Sequence, residues 1–131
     1  MESIQLTILL PASPAEIYTA WLDSQEHSKF TGGIAEIDPK EGGIFSIWEG
    51  YITGKTLQLE PDRRILQSWR TTEFPPGSPD SRLEVLIGLK RGGTELTLNH
   101  TDIPDGQAEM YTQGWKEYYF EPMLEYFQHE R

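Results

Sequence analysis

From Gly114 to Arg131 the chain has helical spacing and carries aromatic rings around most of the helix circumference. At about 100° per residue, Tyr111, Trp115, Tyr118, Tyr119, Met123 and Tyr126 fall on one arc, and Glu117, Glu121, Glu125 and Gln128 gather opposite it. So apolar an arc needs a broad partner, and the acidic side is most simply a solvated face. Nearly everything between residues 43 and 101 has strand character, so the expected partner is a sheet. A helix laid across a curved sheet tends to enclose a pocket. Pro122 lies inside this helix, lacks an N–H, and is expected to kink it near Tyr118. A kinked lid could open.

The rest of the chain supplies that sheet. Ile4, Leu6 and Ile8 alternate as in a strand. Ser13-Pro14-Ala15-Glu16 then reads as a helix start, with Ser13 as N-cap, Pro14 at the first helical position and Glu16 completing a capping box. This helix is expected to run to about Asp23, with Ile17, Ala20 and Trp21 buried. Ser24 is expected to cap a second short helix through Phe30, and Thr31-Gly32-Gly33 to turn the chain. Strands then follow at Ile34 to Ile37, Ile44 to Trp48, Tyr51 to Leu59, Arg64 to Thr72, around Leu83 to Leu89, and Thr94 to Thr101. Apolar parity changes between Ile52 and the Leu57/Leu59 pair, which predicts a bulge or bend at Gly54. The order is one strand, two short helices, about six strands and a long helix. It predicts an α+β class: a helix-grip fold, with a curved antiparallel sheet of about seven strands around the C-terminal helix.

With 131 residues, the chain is expected to form one domain, residues 1–131, around one core. Eleven basic against twenty-one acidic residues give a formal charge of −10, which disfavours nucleic acid and anionic membrane surfaces as partners. There is no cysteine, so thiol chemistry, disulfides and thiolate metal sites are excluded. No stretch approaches the roughly 18 apolar residues of a membrane span. The N-terminus lacks the basic cluster and long apolar run of a signal peptide. A soluble cytoplasmic protein is expected.

Trp21, then His27-Ser28-Lys29-Phe30-Thr31-Gly32, Gly42-Gly43-Ile44-Phe45, Gly50-Tyr51-Ile52-Thr53-Gly54, Trp69-Arg70 and Gly114-Trp115 together resemble the START-like, or Bet v 1-like (SRPBCC), superfamily. Within it they look like the C-terminal domain of the activator of the heat-shock-protein-90 ATPase, in the same order along essentially the whole chain. The resemblance implies a seven-stranded curved sheet around the C-terminal helix, often with a cavity between them. Its members bind hydrophobic small molecules, bind protein partners such as the chaperone, or in a few cases act as cyclases or dehydratases, so the fold alone does not choose the function. The chaperone activators also carry an N-terminal domain, for which 131 residues leave no room.

Among individual residues, His100 shares parity with Leu96 and Leu98 and should point inward. There it could orient a ligand, act as a general base, or satisfy a backbone group at the strand end. His27 can close the turn before Phe30. Histidines at 27, 100 and 129 have no i, i+4 spacing, so no metal site is expected. Ser13, Ser24 and Ser28 lack a base and an orienting acid, and the glycine pairs are not followed by the Lys-Ser or Lys-Thr of a phosphate loop. Glu49 and Arg70 could pair but should face water. Trp21, Trp48, Trp69 and Trp115 are either core or cavity wall. The candidate ligand-binding set is Trp69, His100, Trp115, Tyr119, Trp21, Phe30 and Trp48, with Trp69 favoured because its strand face also carries Gln67 and Thr71. No cofactor is implied. A binder of a hydrophobic small molecule is expected, with a chaperone-associated interaction domain as the alternative. An enzyme using His100 as its base is the least favoured reading.

Overall fold

In the computed structural model, which describes residues 1–129, seven antiparallel strands form a curved sheet around a C-terminal helix. The strands are β1 (Glu2–Leu10), β2 (Ala35–Ile37), β3 (Ile44–Ile47), β4 (Ile52–Glu60), β5 (Arg64–Thr71), β6 (Ser81–Lys90) and β7 (Gly93–Ile103), in the order β1-β7-β6-β5-β4-β3-β2. Two short helices, α1 (Pro14–Leu22) and α2 (Ser24–Thr31), link β1 to β2. The period-2 alternation of β6 buries Leu83, Val85 and Ile87, and β7 buries Leu96 and Leu98. These residues lie on the concave face, where the core gathers.

α1 begins as its sequence predicts: Ser13 Oγ accepts from Glu16 N–H, and Glu16 Oε1 accepts from Ser13 N–H. α2 differs. Asp23 is its cap, accepting from Glu26 N–H at 2.9 Å, and Ser24 lies inside the helix. Asp23 outcompetes Ser24 because its longer, charged side chain reaches the free N–H from one position earlier. The hydroxyls of Ser24 and Ser28 instead accept from Ile37 N–H and Ala35 N–H, fastening β2 to the helix.

The β4 irregularity falls between Thr56 and Gln58 rather than at Gly54. The extra residue explains why Leu57 and Leu59 are out of phase with Ile52. Gly54 has a different task, since a Cβ there would collide with the Ser68 carbonyl oxygen and the Phe45 ring.

The C-terminal helix starts at Ala108, six residues before the aromatic run. Gln107 provides no side-chain cap; the Ala108 N–H donates to Glu2 Oε1 on β1, 3.0 Å away. A cap supplied from the far end of the chain leaves no local signature. The helix consists of α3 (Ala108–Trp115), a π-turn (Lys116–Phe120) and α4 (Glu121–His129). At the turn, Glu121 N–H reaches back five residues to the Lys116 carbonyl.

That wider turn re-phases the helix. Tyr111, Trp115, Tyr119 and Met123 are buried, as their spacing predicts. Tyr118 is 56% exposed and Tyr126 only half-buried, while Phe120 and Phe127 take the inward places. One additional residue per turn shifts everything downstream by about one position. Pro122 therefore sits directly after a π-turn, where the missing N–H follows a break already present in the α-helical ladder. Glu117, Glu121, Glu125 and Gln128 are exposed. No helix among the described residues is long and apolar enough to cross a membrane.

Candidate aromatic cleft between sheet and helix

Between the C-terminal helix and the β3–β5 side of the sheet lies a cavity of about 200 Å³. The sheet side contributes Trp48, Tyr51, Ile52, Trp69 and Thr71. The helix side contributes Met110, Tyr111, Gly114 and Trp115, then Glu117, Tyr118 and Tyr119 from the π-turn. Met110 and Tyr118, at 43% and 56% exposure, make it a cleft open to solvent. Consecutive residues reach it from both segments: Gln113, Gly114 and Trp115 from the last turn of α3, and Glu117, Tyr118 and Tyr119 from the π-turn.

Trp48 is held at the mouth by unusual backbone. Trp48, Glu49 and Gly50 have φ of 52°, 52° and 93°, and Tyr51 N–H donates to the Trp48 carbonyl at 3.1 Å. Glu49-Gly50 thus forms the centre of a left-handed turn of the type that joins β3 to β4. Left-handed φ is uncommon for a bulky residue and concentrates where structure holds a side chain for use. The Trp48 indole lies directly on Gly33, where a Cβ would overlap its ring. Its ring meets Tyr118 and Tyr119 at 79° and 84°.

Behind the cleft, the core is wired by hydrogen-bond relays. Trp115 Nε1–H donates to His100 Nδ1 (3.1 Å), so His100 is protonated on Nε2, which donates to Ser81 Oγ (2.8 Å). Ser81 passes its proton to the Trp69 carbonyl (2.6 Å). In the second relay, Tyr119 O–H donates to His27 Nε2 (2.8 Å), and His27 Nδ1–H donates to the Trp21 carbonyl (2.8 Å). Trp21 Nε1–H in turn donates to Gln67 Oε1, and Gln67 Nε2 to Thr56 Oγ1, each at 3.1 Å. Burial pushes both imidazoles down to about 4 and lifts the Tyr119 hydroxyl well above its ordinary value. His100 is therefore a neutral link with both nitrogens engaged, and it does not line the cleft.

Of the seven residues singled out by sequence, Trp48, Trp69, Trp115 and Tyr119 line the cleft. His100, Trp21 and Phe30 stand behind it in the core, each no more than 3% exposed. Glu49 is exposed, and Arg70 is engaged elsewhere: it donates to the Ser78 carbonyl (2.6 Å) and Asp80 (3.2 Å), clamping the β5–β6 loop. The other wall residues, Tyr51, Ile52, Thr71, Met110, Tyr111, Gln113, Gly114, Glu117 and Tyr118, were not in that set. A glycine in mid-helix, between Tyr111 and Trp115, is the signal that could have marked Gly114. Its missing Cβ would meet nothing within 4 Å.

The indole N–H groups of Trp21 and Trp115 are paired, and the one buried side-chain polar atom without a partner among the described residues is Ser78 Oγ, which lies off the cleft. Burial raises the Tyr51 hydroxyl, and the Glu73 carboxylate pushes the same way. Burial likewise raises Tyr111, to about 12; Thr71 opposes the shift through a hydrogen bond and Glu73 adds to it.

A family model described as activator of Hsp90 ATPase homolog 1-like protein matches residues 11–128. The chain belongs to that family. The match to the Hsp90 ATPase activator-like family takes in every residue of the cleft, and the fold is of the SRPBCC, Bet v 1-like type. Activator of 90 kDa heat shock protein ATPase homolog 1 from Mus musculus is 32% identical over 115 residues, 88% of this chain and 34% of that protein. Its Homo sapiens counterpart is 31% identical with the same coverage. This activator-like chain thus spans about a third of the length of the curated relatives it matches. Among solved structures, an HSP90 activator from Plasmodium falciparum superposes with a TM-score of 0.84 at 25% identity, covering 92% of each chain. The Aha1 dimer from Colwellia psychrerythraea shares the fold, at a TM-score of 0.80 and 15% identity, over 97% of this chain and 96% of that one.

Proposed function

We propose that this activator-like domain, read as one unit over residues 1–131, is a cytoplasmic binding module that takes up a small hydrophobic molecule in the aromatic cleft. The observation that carries this reading is the cavity of about 200 Å³ between helix and sheet, walled by the rings of Trp48, Trp69, Trp115, Tyr118 and Tyr119. Concave apolar sites with one or two fixed polar groups are the usual form of small-molecule sites. A ligand with a flat apolar body would exchange water for ring contacts there.

Gly114 offers a clean test, because a side chain there projects into open space rather than into packed core. Gly114→Leu should fill the cleft while gaining about 1 kcal/mol of helix propensity. Native mass spectrometry of unheated protein should find a co-purifying small molecule in the parent and lose it in Gly114→Leu, with melting temperature kept or raised. No bound molecule, together with no thermal shift across an aromatic and lipid library, would sink the reading.

A second reading is a chaperone-associated interaction domain. It is favoured by relatives named as activators of the 90 kDa heat shock protein ATPase, aligned over 88% of this chain. A pull-down that recovers no Hsp90-type chaperone, with no change in that chaperone's ATPase rate, would remove it.

A further inference from the structure

The charge around the cleft narrows the ligand beyond "hydrophobic". Glu117 is the one charged residue among the described residues that line it; no lysine or arginine does. Lys116, its chain neighbour, is exposed and off the wall, and Arg70 is held by the β5–β6 loop. From the opposite side, the negative field of Glu73 reaches Tyr51 and Tyr111. The chain as a whole carries −10. An anionic ligand, such as a fatty acid, would meet repulsion without a compensating cation.

The rings supply the other half of the argument. Trp48 stands nearly perpendicular to Tyr118 and Tyr119, with centroids 6.0 Å away in both cases, so adjacent walls meet at a corner. Aromatic faces set at right angles around an open mouth, with a carboxylate beside them, suit a cation that is apolar outside and weakly hydrated. An alkylated ammonium has those properties, because its methyl groups pack on rings while its charge is attracted by the ring quadrupoles.

We propose that the cleft takes an alkylated ammonium group, held between Trp48, Tyr118 and Glu117, at the mouth of the small-molecule site. This rests on the reading of the cleft as a small-molecule site and specifies the ligand class.

Choline and its uncharged carbon isostere, 3,3-dimethylbutan-1-ol, separate the two claims when titrated against tryptophan fluorescence. Choline is expected to bind about tenfold more tightly, as a desolvated cation–π contact requires. Glu117→Gln should weaken choline several-fold and leave the isostere unchanged, with the melting temperature unaltered because the side chain is exposed. Equal affinities, or tighter binding of the isostere, would overturn the ammonium assignment and leave the hydrophobic-ligand reading standing. Failure of both compounds to bind the parent protein would overturn the ammonium assignment, while the hydrophobic-ligand reading is decided by the co-purification and library tests. A choline affinity unmoved in Glu117→Gln would overturn the assignment of the charge to this mouth.

Discussion

Tyr119 shows how one side chain serves two ends. Its ring walls the cleft, and its hydroxyl supplies the only proton that His27 Nε2 receives among the described residues. Tyr119→Phe keeps the ring but leaves a fully buried imidazole nitrogen unsatisfied, at a cost of about 1–3 kcal/mol. Urea unfolding of the pair should show a lower midpoint at unchanged slope. An unchanged midpoint would mean that the nitrogen has found another donor. His100 illustrates what spacing cannot reveal. Its parity with Leu96 and Leu98 correctly turned it inward, but a residue buried for chemistry and one buried as a link look alike in sequence. The distinction lies in Ser81 and Trp115, 19 and 15 residues away, which occupy both nitrogens. Likewise Trp21 and Trp69 are equivalent as letters, yet Trp69 lines the cleft while Trp21 stands behind it with its indole bonded to Gln67.

At the level of elements, the alternation in β6 and β7 and the capping box of α1 were legible because each rests on neighbours within a few residues. What escaped depends on distance or on register. Glu2 caps the C-terminal helix across 106 positions, and the π-turn inserts a residue that periodicity at a fixed 100° cannot anticipate. The wall residues Glu117 and Tyr118 lie within that turn. Deleting Lys116 tests the turn directly. The deletion takes out the one residue that the π-turn holds in excess, so a continuous α-helix would keep Met123 and Phe127 on the inward stripe with Tyr111 and Trp115. The variant should fold and retain its near-ultraviolet circular dichroism. Loss of folding would show that the turn supplies more than helix phase.

For the whole molecule, the relays make stability depend on pH. His27 and His100 are neutral in the fold, with values lowered to about 4 from 6.5. The unfolded chain therefore binds protons first as pH falls. Their contribution is complete above about pH 6.5 and is lost between there and about pH 4, reaching roughly 2 kcal/mol per imidazole by pH 5. Tyr111 and Tyr119 act at the other limit. With hydroxyls raised above 10, they remain neutral in the fold while the unfolded chain ionises, so stability falls again above about pH 10. Denaturant midpoints should be level from about pH 7 to 10 and drop on both sides; a midpoint at pH 5 equal to that at pH 7 would contradict the buried, neutral state of both imidazoles. β1 carries one more consequence for the molecule, in the order of events. It pairs with β7 alone, and its Glu2 holds the start of the C-terminal helix. Such distant contacts are slow to form, because a long chain must close before any of them is gained. On the ribosome, β1, the earliest made of these seven strands, must therefore wait unpaired until β7 has followed.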